Sequence, residues 1–378
     1  MPMTLLAFAL PTPDTIGKLA IFLFMLSVLI VIHEGGHFWL ARWNGVRVND
    51  FAVGFGPTIA KWTSPKTGTN YRLNALPIGG YCAMQGEDGQ TSEAEQQRQF
   101  RNEAARENDN FQGKKPWQRL SIVVAGPVAN FLLAYAILFF AAITFGVPSP
   151  NSETSQVGPI TPGSPAQKAG LQLGDQIVAI DGAPYSTGNA VIDKIHASAG
   201  KPLTLTISRH GQMLTVPITP QPVKDGKQTV GRIGFIVQYR YERVGPFVAI
   251  TRAADSFAFI ITASVAGLAQ LPSHLANVHG VIGMGQAAQQ VQDLGWAPYF
   301  GLAAQISIGL GILNLLPFPA LDGGRGIFIL AEMLRGRPVD AEKEALVHVT
   351  GFAVLMVLMV FVAFHDILNI VAGKSVFE

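Results

Sequence analysis

Residues 16–40 read IGKLAIFLFMLSVLIVIHEGGHFWL, and the fold turns on how this stretch is taken. A hydrocarbon core needs about 20 apolar residues to cross, and this run is long enough. It nevertheless carries His33, Glu34 and His37 toward its end. A secretory signal peptide is shorter and ends at a small-residue cleavage site, which is not evident here. The stretch is expected to be a retained helix. On a helix, positions i and i+4 share a face, so both imidazoles can bind one ion, with Glu34 placed as general base on the attacking water. The bland alternative is a pair of core histidines bridged to Glu34. Ionisable groups in lipid are costly without partners, so a bound zinc ion is the stronger reading. Gly35 and Gly36 lower helix propensity by roughly 1 kcal/mol each relative to Ala. They leave room for the metal or for a close helix neighbour.

The composition agrees with a membrane setting. Of 378 residues, 49% are hydrophobic and 14% charged, and mean hydropathy is +0.31. A soluble fold carries about 25% charged residues. A net charge of +2 gives no reason to expect nucleic acid. The single cysteine, Cys82, excludes an intrachain disulfide or a multi-cysteine metal site and reads as a small half-buried side chain. Further apolar runs at 120–145, 298–318 and 347–371 bring the expected spans to four. A fifth run, 247–271, contains Arg252 and Asp255 and is expected to lie in the interface as an amphipathic helix. Lys and Arg crowd the segment between the first two spans, and Arg335, Arg337 and Lys343 follow the third. Both loops are therefore expected in the cytoplasm, with residues 148–243 and both termini outside.

Between the first two spans, VRVNDFAVGFGP (46–57) and TNYRLNALPIGGYCAM (69–84) read as short strands in hairpins. Residues 86–115 are polar and read as a flexible or helical cytoplasmic segment. The outside region reads as a strand at 157–160, a turn, strand and second turn over 173–182, and a hairpin of 203–211 with 213–218, with helix signals at 164–171 and 190–199. It is expected to be a small α+β module. The expected division is 1–45, first span; 46–117, hairpin loop and polar segment; 118–147, second span; 148–243, outside module; 244–297, interfacial helix and loop; 298–331, third span; and 332–378, loop and fourth span.

A catalytic zinc takes three protein ligands and keeps one open position. Asp322 is the best candidate for the third, in NLLPFPALDGG (314–324). It follows the third span, at a depth similar to His33 and His37, and neighbouring prolines and glycines can break the helix and turn a carboxylate inward. Glu332 and Asp366 lack such a setting. A helix N-cap is the plain alternative for Asp322. A full crossing by 247–271 would bring Asp322 to the wrong side, which favours four spans over five.

HEGGH in the first span and NLLPFPALDGG after the third resemble the site-2 protease family of intramembrane zinc metalloproteases. AGPVANF (125–131) is like that family's Gly-Pro-x-x-Asn element, and GSPAQKAGLQLGDQIVAIDG (163–182) looks like part of a PDZ domain. The order of elements resembles the bacterial regulator-of-sigma-E protease branch over nearly the whole chain. The resemblance implies an α-helical polytopic membrane protein of four transmembrane helices, with a membrane-associated β-hairpin region and an inserted α+β PDZ domain. It implies Zn2+ on His33, His37 and Asp322, Glu34 as catalytic acid/base, and Asn314 holding substrate or polarising the scissile carbonyl, with a helix–helix hydrogen bond as the equal alternative. Asn130 and the hairpin residues Tyr71, Leu73, Pro77, Gly79, Gly80 and Tyr81 become candidate substrate contacts, an edge strand there pairing with unwound substrate. Implied substrates are single-span proteins of the bacterial inner membrane already trimmed by another protease, such as anti-sigma factors or leftover signal peptides. The PDZ domain would bind a peptide C-terminus or act as a size filter, with lipid around the spans. Two departures stand out: one PDZ module is evident where well-known members have two, and Gly309 stands where some members have a second Asn. A membrane-tethered PDZ scaffold and a zinc transporter are the competing classes. The scaffold leaves HExxH unexplained.

Overall fold

The computed structural model describes residues 12–87, 109–149, 155–161, 163–185, 187–225, 228–238, 240–270 and 280–371. The chain divides into two compact units. One comprises Met1–Ile137, Ser256–Val278 and Leu302–Val362; the other comprises Leu138–Asp255, His279–Gly301 and Ala363–Glu378. Among the described residues, the first elements are α1 (Pro13–Trp43), β1 (Val48–Thr63), β2 (Asn70–Met84) and α2 (Pro116–Thr144).

Helix α1 begins where the Thr12 hydroxyl accepts from the Thr15 N–H and Pro13 takes the first turn. Its buried stripe is Phe22, Met25, Leu26, Leu29, His33 and His37, all at helical spacing. The rest of its surface leaves Phe24 and Trp39 exposed, and Trp43 is exposed at its last residue. Water does not suit so much apolar surface, and lipid does.

β1 and β2 form an antiparallel pair that folds back on itself. Phe51 pairs with both Cys82 and Tyr71, and Val53 with both Gly80 and Leu73. Residues 70–73 also pair with 60–63, so the two strands build four rows: 80–84, 48–53, 70–73 and 60–63. Gly54 takes φ 81°, and a Cβ there would meet the Leu76 carbonyl at 2.3 Å. Buried Asn74 ties the bend by donating to the Gly54 carbonyl at 2.9 Å. Row 80–84 has a strand partner on one side only among the described residues. It is a free edge.

After α2 come β3 (Val147–Ser149), β4 (Ser155–Ile160), α3 (Pro165–Lys168), β5 (Gln176–Ile180), β6 (Ala183–Pro184), α4 (Gly188–His196), β7 (Leu203–Arg209), β8 (Gln212–Ile218), β9 (Gln221–Asp225), β10 (Gln228–Arg232), β11 (Phe235–Gln238) and β12 (Arg240–Glu242). The main sheet runs β11-β4-β5-β7-β8, with β6 on β5. Leu203, Leu205 and Ile207 alternate inward from β7 and meet Val157, Ile177 and Val191 in one core. Full burial of each such side chain contributes about 1.5–3 kcal/mol. The turn between β7 and β8 has positive φ at His210 and Gly211, as a tight hairpin requires. The helix expected over 164–171 is one turn capped by Ser164, and the one expected over 190–199 spans Gly188–His196. β3 pairs with β12, so entry to and exit from the module lie side by side. Gly146, at φ 94°, lets Glu242 pass, since a Cβ would sit 2.3 Å from its carbonyl oxygen.

The remaining helices are α5 (Pro246–Gln270), α6 (Val281–Asp293), α7 (Trp296–Leu315), α8 (Asp322–Arg335) and α9 (Ala341–Val371). The expected third segment, 298–331, is therefore two helices with a break between them. Among the described residues, five helices, α1, α2, α5, α7 and α9, are long and apolar enough to cross a bilayer. The chain is a multi-pass membrane protein with an inserted β module. α5, expected in the interface, is a continuous helix; it keeps Arg252 and Asp255 exposed and sets Phe257 edge-on against Phe131 and Tyr135 of α2. Of the polar stretch 86–115, residues 88–108 lie outside the described residues.

Asp175 is buried in the module, and Arg209 holds it with bonds to both oxygens at 2.7 Å. Burial raises its carboxyl pKa, but the Arg209 hydrogen bonds, the Gln172 N–H and the Arg209 charge outweigh that and hold it below the ordinary 3.8. A depressed folded value adds stability above the ordinary carboxylate range, which is lost as pH falls through the folded value. Substituting Arg209→Met should destabilise the module at neutral pH, because buried Asp175 loses its partner. It should also move acid-induced loss of amide protection in β5 and β7 up toward the ordinary range. An acid profile identical to wild type would count against this account.

Candidate metal centre

The site begins with two helices that can touch. A Cβ on Gly36 would lie 2.3 Å from the Ala125 carbonyl oxygen, and one on Gly126 would lie 2.2 Å from His37 Nε2. Glycine at both positions lets α2 press against the imidazoles of α1. His37 Nδ1–H donates to the Ile122 carbonyl at 2.9 Å, which leaves Nε2 with a bare lone pair. His33 Nδ1 lies 3.2 Å from the side-chain amide of fully buried Asn130. The two ends of that amide have the same shape. With its oxygen, which otherwise has no hydrogen-bond partner, turned to His33 Nδ1–H, the second Nε2 is bare as well.

α7 and α8 supply the other side. Ser307 Oγ donates to the Asn130 carbonyl at 2.8 Å, and a Cβ on Gly311 would meet the Phe131 ring at 2.9 Å. α7 stops at Leu315, in front of Pro317 and Pro319, and α8 starts at Asp322. Gly323 and Gly324 fit this turn because a Cβ would meet the Leu316 and Phe318 carbonyl oxygens at 2.2 and 2.4 Å. The break turns Asp322 toward α1. Its Oδ2 lies 3.2 Å from His33 Nε2 and 3.3 Å from His37 Nε2, and the two Nε2 atoms are 3.3 Å apart.

Zinc in tetrahedral coordination with bonds of about 2.0–2.1 Å places its ligand atoms about 3.3 Å from one another. The triangle has that edge. Asp322 Oδ2 is buried without a hydrogen-bond partner, and no other His, Cys, Asp or Glu trio among the described residues converges in this way. The residues fit the ion.

Around the triangle lies a cavity of about 640 Å³, lined by Glu34, Asn130, Asn314, Arg325, His348 and the 81–84 edge of β2, among others. Asn314 Nδ2 is 3.5 Å from His33 Nε2. A Cβ on Gly80 would lie 3.6 Å from Glu34 Cγ, so the hairpin runs beside the expected general base. Tyr71 and Leu73, expected along a substrate-pairing edge, are paired on both sides and do not line the cavity. Tyr71 stacks on Trp62 instead. The free edge near the site is the 80–84 end, with Gly79 (φ 89°), Gly80 and Tyr81 leading into it. Pro77 lies in the bend before it.

Three lining features were missed in the sequence. Glu87 pairs with Arg325, tying the end of the hairpin to α8. Cys82 lines the cavity, where burial and then Glu34 and Glu87 push its thiol pKa up and keep it neutral. His348 is one of three ionisable residues in the fourth apolar run, with His365 and Asp366 at its far end, a signal that could have singled it out. The acids set aside earlier are engaged elsewhere: Glu332 pairs with Arg119, and Asp366 accepts from the Gly280 and Gly283 N–H groups at the start of α6.

A family model described as peptidase family M50 matches residues 21–358. A Rhizobium meliloti relative carried under a zinc metalloprotease name is 35% identical over 92% of this chain and 95% of its own. The zinc metalloprotease RasP of Bacillus licheniformis is 32% identical over 92% of this chain and 97% of its own. The regulator of sigma-W protease RasP of Bacillus subtilis is 30% identical over the same shares. Among solved structures, the PDZ domain of the SdrC-like protein of Listeria monocytogenes is 26% identical, covers 22% of this chain and 87% of that one, and has a TM-score of 0.20. The chain belongs to peptidase family M50, the site-2 protease family of intramembrane zinc metalloproteases.

Proposed function

We propose that His33, His37 and Asp322 hold the zinc with which this chain hydrolyses peptide bonds of single-span membrane proteins, and that Glu34 is the general acid/base. The observation that carries this reading is the 3.2–3.3 Å triangle of two imidazole nitrogens and a carboxylate oxygen. Zinc supplies Lewis acidity, making water acidic enough to attack at neutral pH and polarising the carbonyl. Glu34 takes the proton of the attacking water and hands it to the departing amine. Asn314 donates its amide N–H to the carbonyl oxygen as charge builds there. Asn130 keeps His33 in the tautomer a ligand needs, which its position behind the ring favours over the substrate contact expected from the sequence.

A helical substrate hides its carbonyls until it unwinds. The free 80–84 edge supports strand addition beside Glu34, with Gly79, Gly80 and Tyr81 at its start. Residues 148–243 form a PDZ-type module that screens substrates by size or takes a freshly cut C-terminus. The sigma-W regulator among the relatives favours trimmed anti-sigma factors as one substrate class, and leftover signal peptides are another. Four crossings, by α1, α2, α7 and α9, put both termini and the module outside the bacterial inner membrane. The triangle supports this count: the ends of α1 and α7 must share one depth, so the chain between α2 and α7 crosses an even number of times. α5 then lies against the bundle without carrying the chain across. A tethered scaffold would leave the triangle without work.

Glu34→Gln should lower kcat on a single-span substrate by at least about 100-fold while zinc content stays that of wild type. Cleavage at an undiminished rate would remove Glu34 from the chemistry. His37→Ala and Asp322→Asn should both lose zinc on metal analysis, and full retention by either would refute its place in the ligand set. For the topology, cysteines introduced at Thr63 and Thr215 should react with impermeant reagents from opposite faces of the membrane. Labelling of both from one face would overturn it.

A further inference from the structure

The carboxylate of Asp322 rides on a break in the chain, and a helix that contributes no ligand grips that break. Within the turn, the N–H groups of Leu316, Phe318 and Leu321 bond to carbonyls of 313–318. Pro317 and Pro319 have none to offer. The Ala320 N–H leaves the turn and donates to His348 Nδ1 of α9 at 3.0 Å. Ala320 has φ 75°, a left-handed conformation that disfavours a residue with a Cβ. One helical turn along α9 stands Gly351, where a Cβ would fall 2.3 Å from Pro319 Cβ and 2.8 Å from its carbonyl oxygen. α9 therefore lies directly on residues 319 and 320, next to Leu321 and Asp322.

A backbone N–H can only donate, so His348 Nδ1 is unprotonated and Nε2 carries the hydrogen. The Phe328 ring of α8, 5.5 Å away, flanks the imidazole. An ionisable side chain in a span otherwise rich in Val, Leu, Met and Phe calls for a purpose.

We infer that His348 is a positioning residue for the protease reaction: its Nδ1, with the close approach allowed by Gly351, clamps the Pro319–Ala320 turn and thereby fixes the Asp322 carboxylate on the metal. The inference rests on Asp322 being a zinc ligand. It makes α9 part of the metal centre without giving it a ligand.

The test uses purified full-length protein in detergent, with zinc affinity read by competition against a chromogenic chelator and kinetics on a single-span substrate. His348→Leu removes the acceptor, whereas His348→Asn puts an amide oxygen where Nδ1 stood. His348→Leu should bind zinc about 10–100-fold more weakly, the usual effect of losing a group that orients a ligand. Its kcat should fall while KM stays within about twofold; His348→Asn should recover most of both. Zinc affinity unchanged in His348→Leu, or equal loss in the Leu and Asn variants, overturns the clamp. Where His348→Leu does not fold, His348→Gln replaces it, since its oxygen stands one bond too far along, and it must be weaker than His348→Asn. Asp322→Asn is the control. Zinc retained by that variant sinks the metal-centre reading itself, whereas zinc lost there and kept by His348→Leu sinks the clamp alone.

Discussion

Three electron-rich atoms meet within van der Waals distance in a low-dielectric part of the protein, and the rest of the first unit is arranged so that they can. Left without a cation, two imidazole lone pairs and a carboxylate oxygen at 3.2–3.3 Å repel or must trap a proton. The packing around them suits the proposed cation. Gly36 and Gly126 bring the helices so close that any side chain at either position would collide with the partner. Ile122 and Asn130 occupy the far nitrogens of the two rings. The interhelical distance, the tautomers and the ligand geometry are thus one property seen from three sides.

The same closeness explains the hairpin. A protease acting on lipid-embedded chains must offer hydrogen bonds to a backbone that has given up its own. Rows 48–53 and 70–73 are saturated by neighbours, so the fold leaves 80–84 as the edge beside Glu34. Glycine at position 80 suits the close pairing with row 48–53, since a Cβ there would fall 2.8 Å from the Ala52 carbonyl oxygen, and it leaves the edge in ordinary contact with Glu34. The bend at Gly54 and Asn74 doubles the strands back, so that 70–73 covers the far side of 48–53 while 80–84 keeps its outer side open.

Much of this was legible from residue spacing. HEGGH sets two candidate ligands on one helix face by geometry alone, and the Pro and Gly flanking Asp322 announce the break. The α+β module was readable because its strands alternate and its turns carry Gly at fixed places. What the sequence could not convey is pairing between distant segments. A single run of strand-like residues at 69–84 gives no sign that its first half is interior and its second half an edge, which is why Tyr71 and Leu73 looked like contacts. Asn130 was visible as part of an element but not as the residue behind His33, since that depends on how α1 crosses α2. His348 sits 26 residues after Asp322 in an apolar run, and only the fold brings it back to Ala320.

Asp322, the proposed third ligand, stands at a helix start. Asp322 lies in the first turn of α8, where the positive end of the helix dipole favours a carboxylate in its charged form. α8 has no side-chain cap at its start, so this charge is the only acidic complement in the turn. A ligand carried mid-helix would lack that support and would pay desolvation alone until metal arrived. Here the dipole, the bare Nε2 atoms and the glycine-lined turn are all in place beforehand. The proposed centre is preorganised for a divalent ion because its anion is stabilised by the helix it begins, and its imidazoles are oriented by the carbonyl and amide behind them.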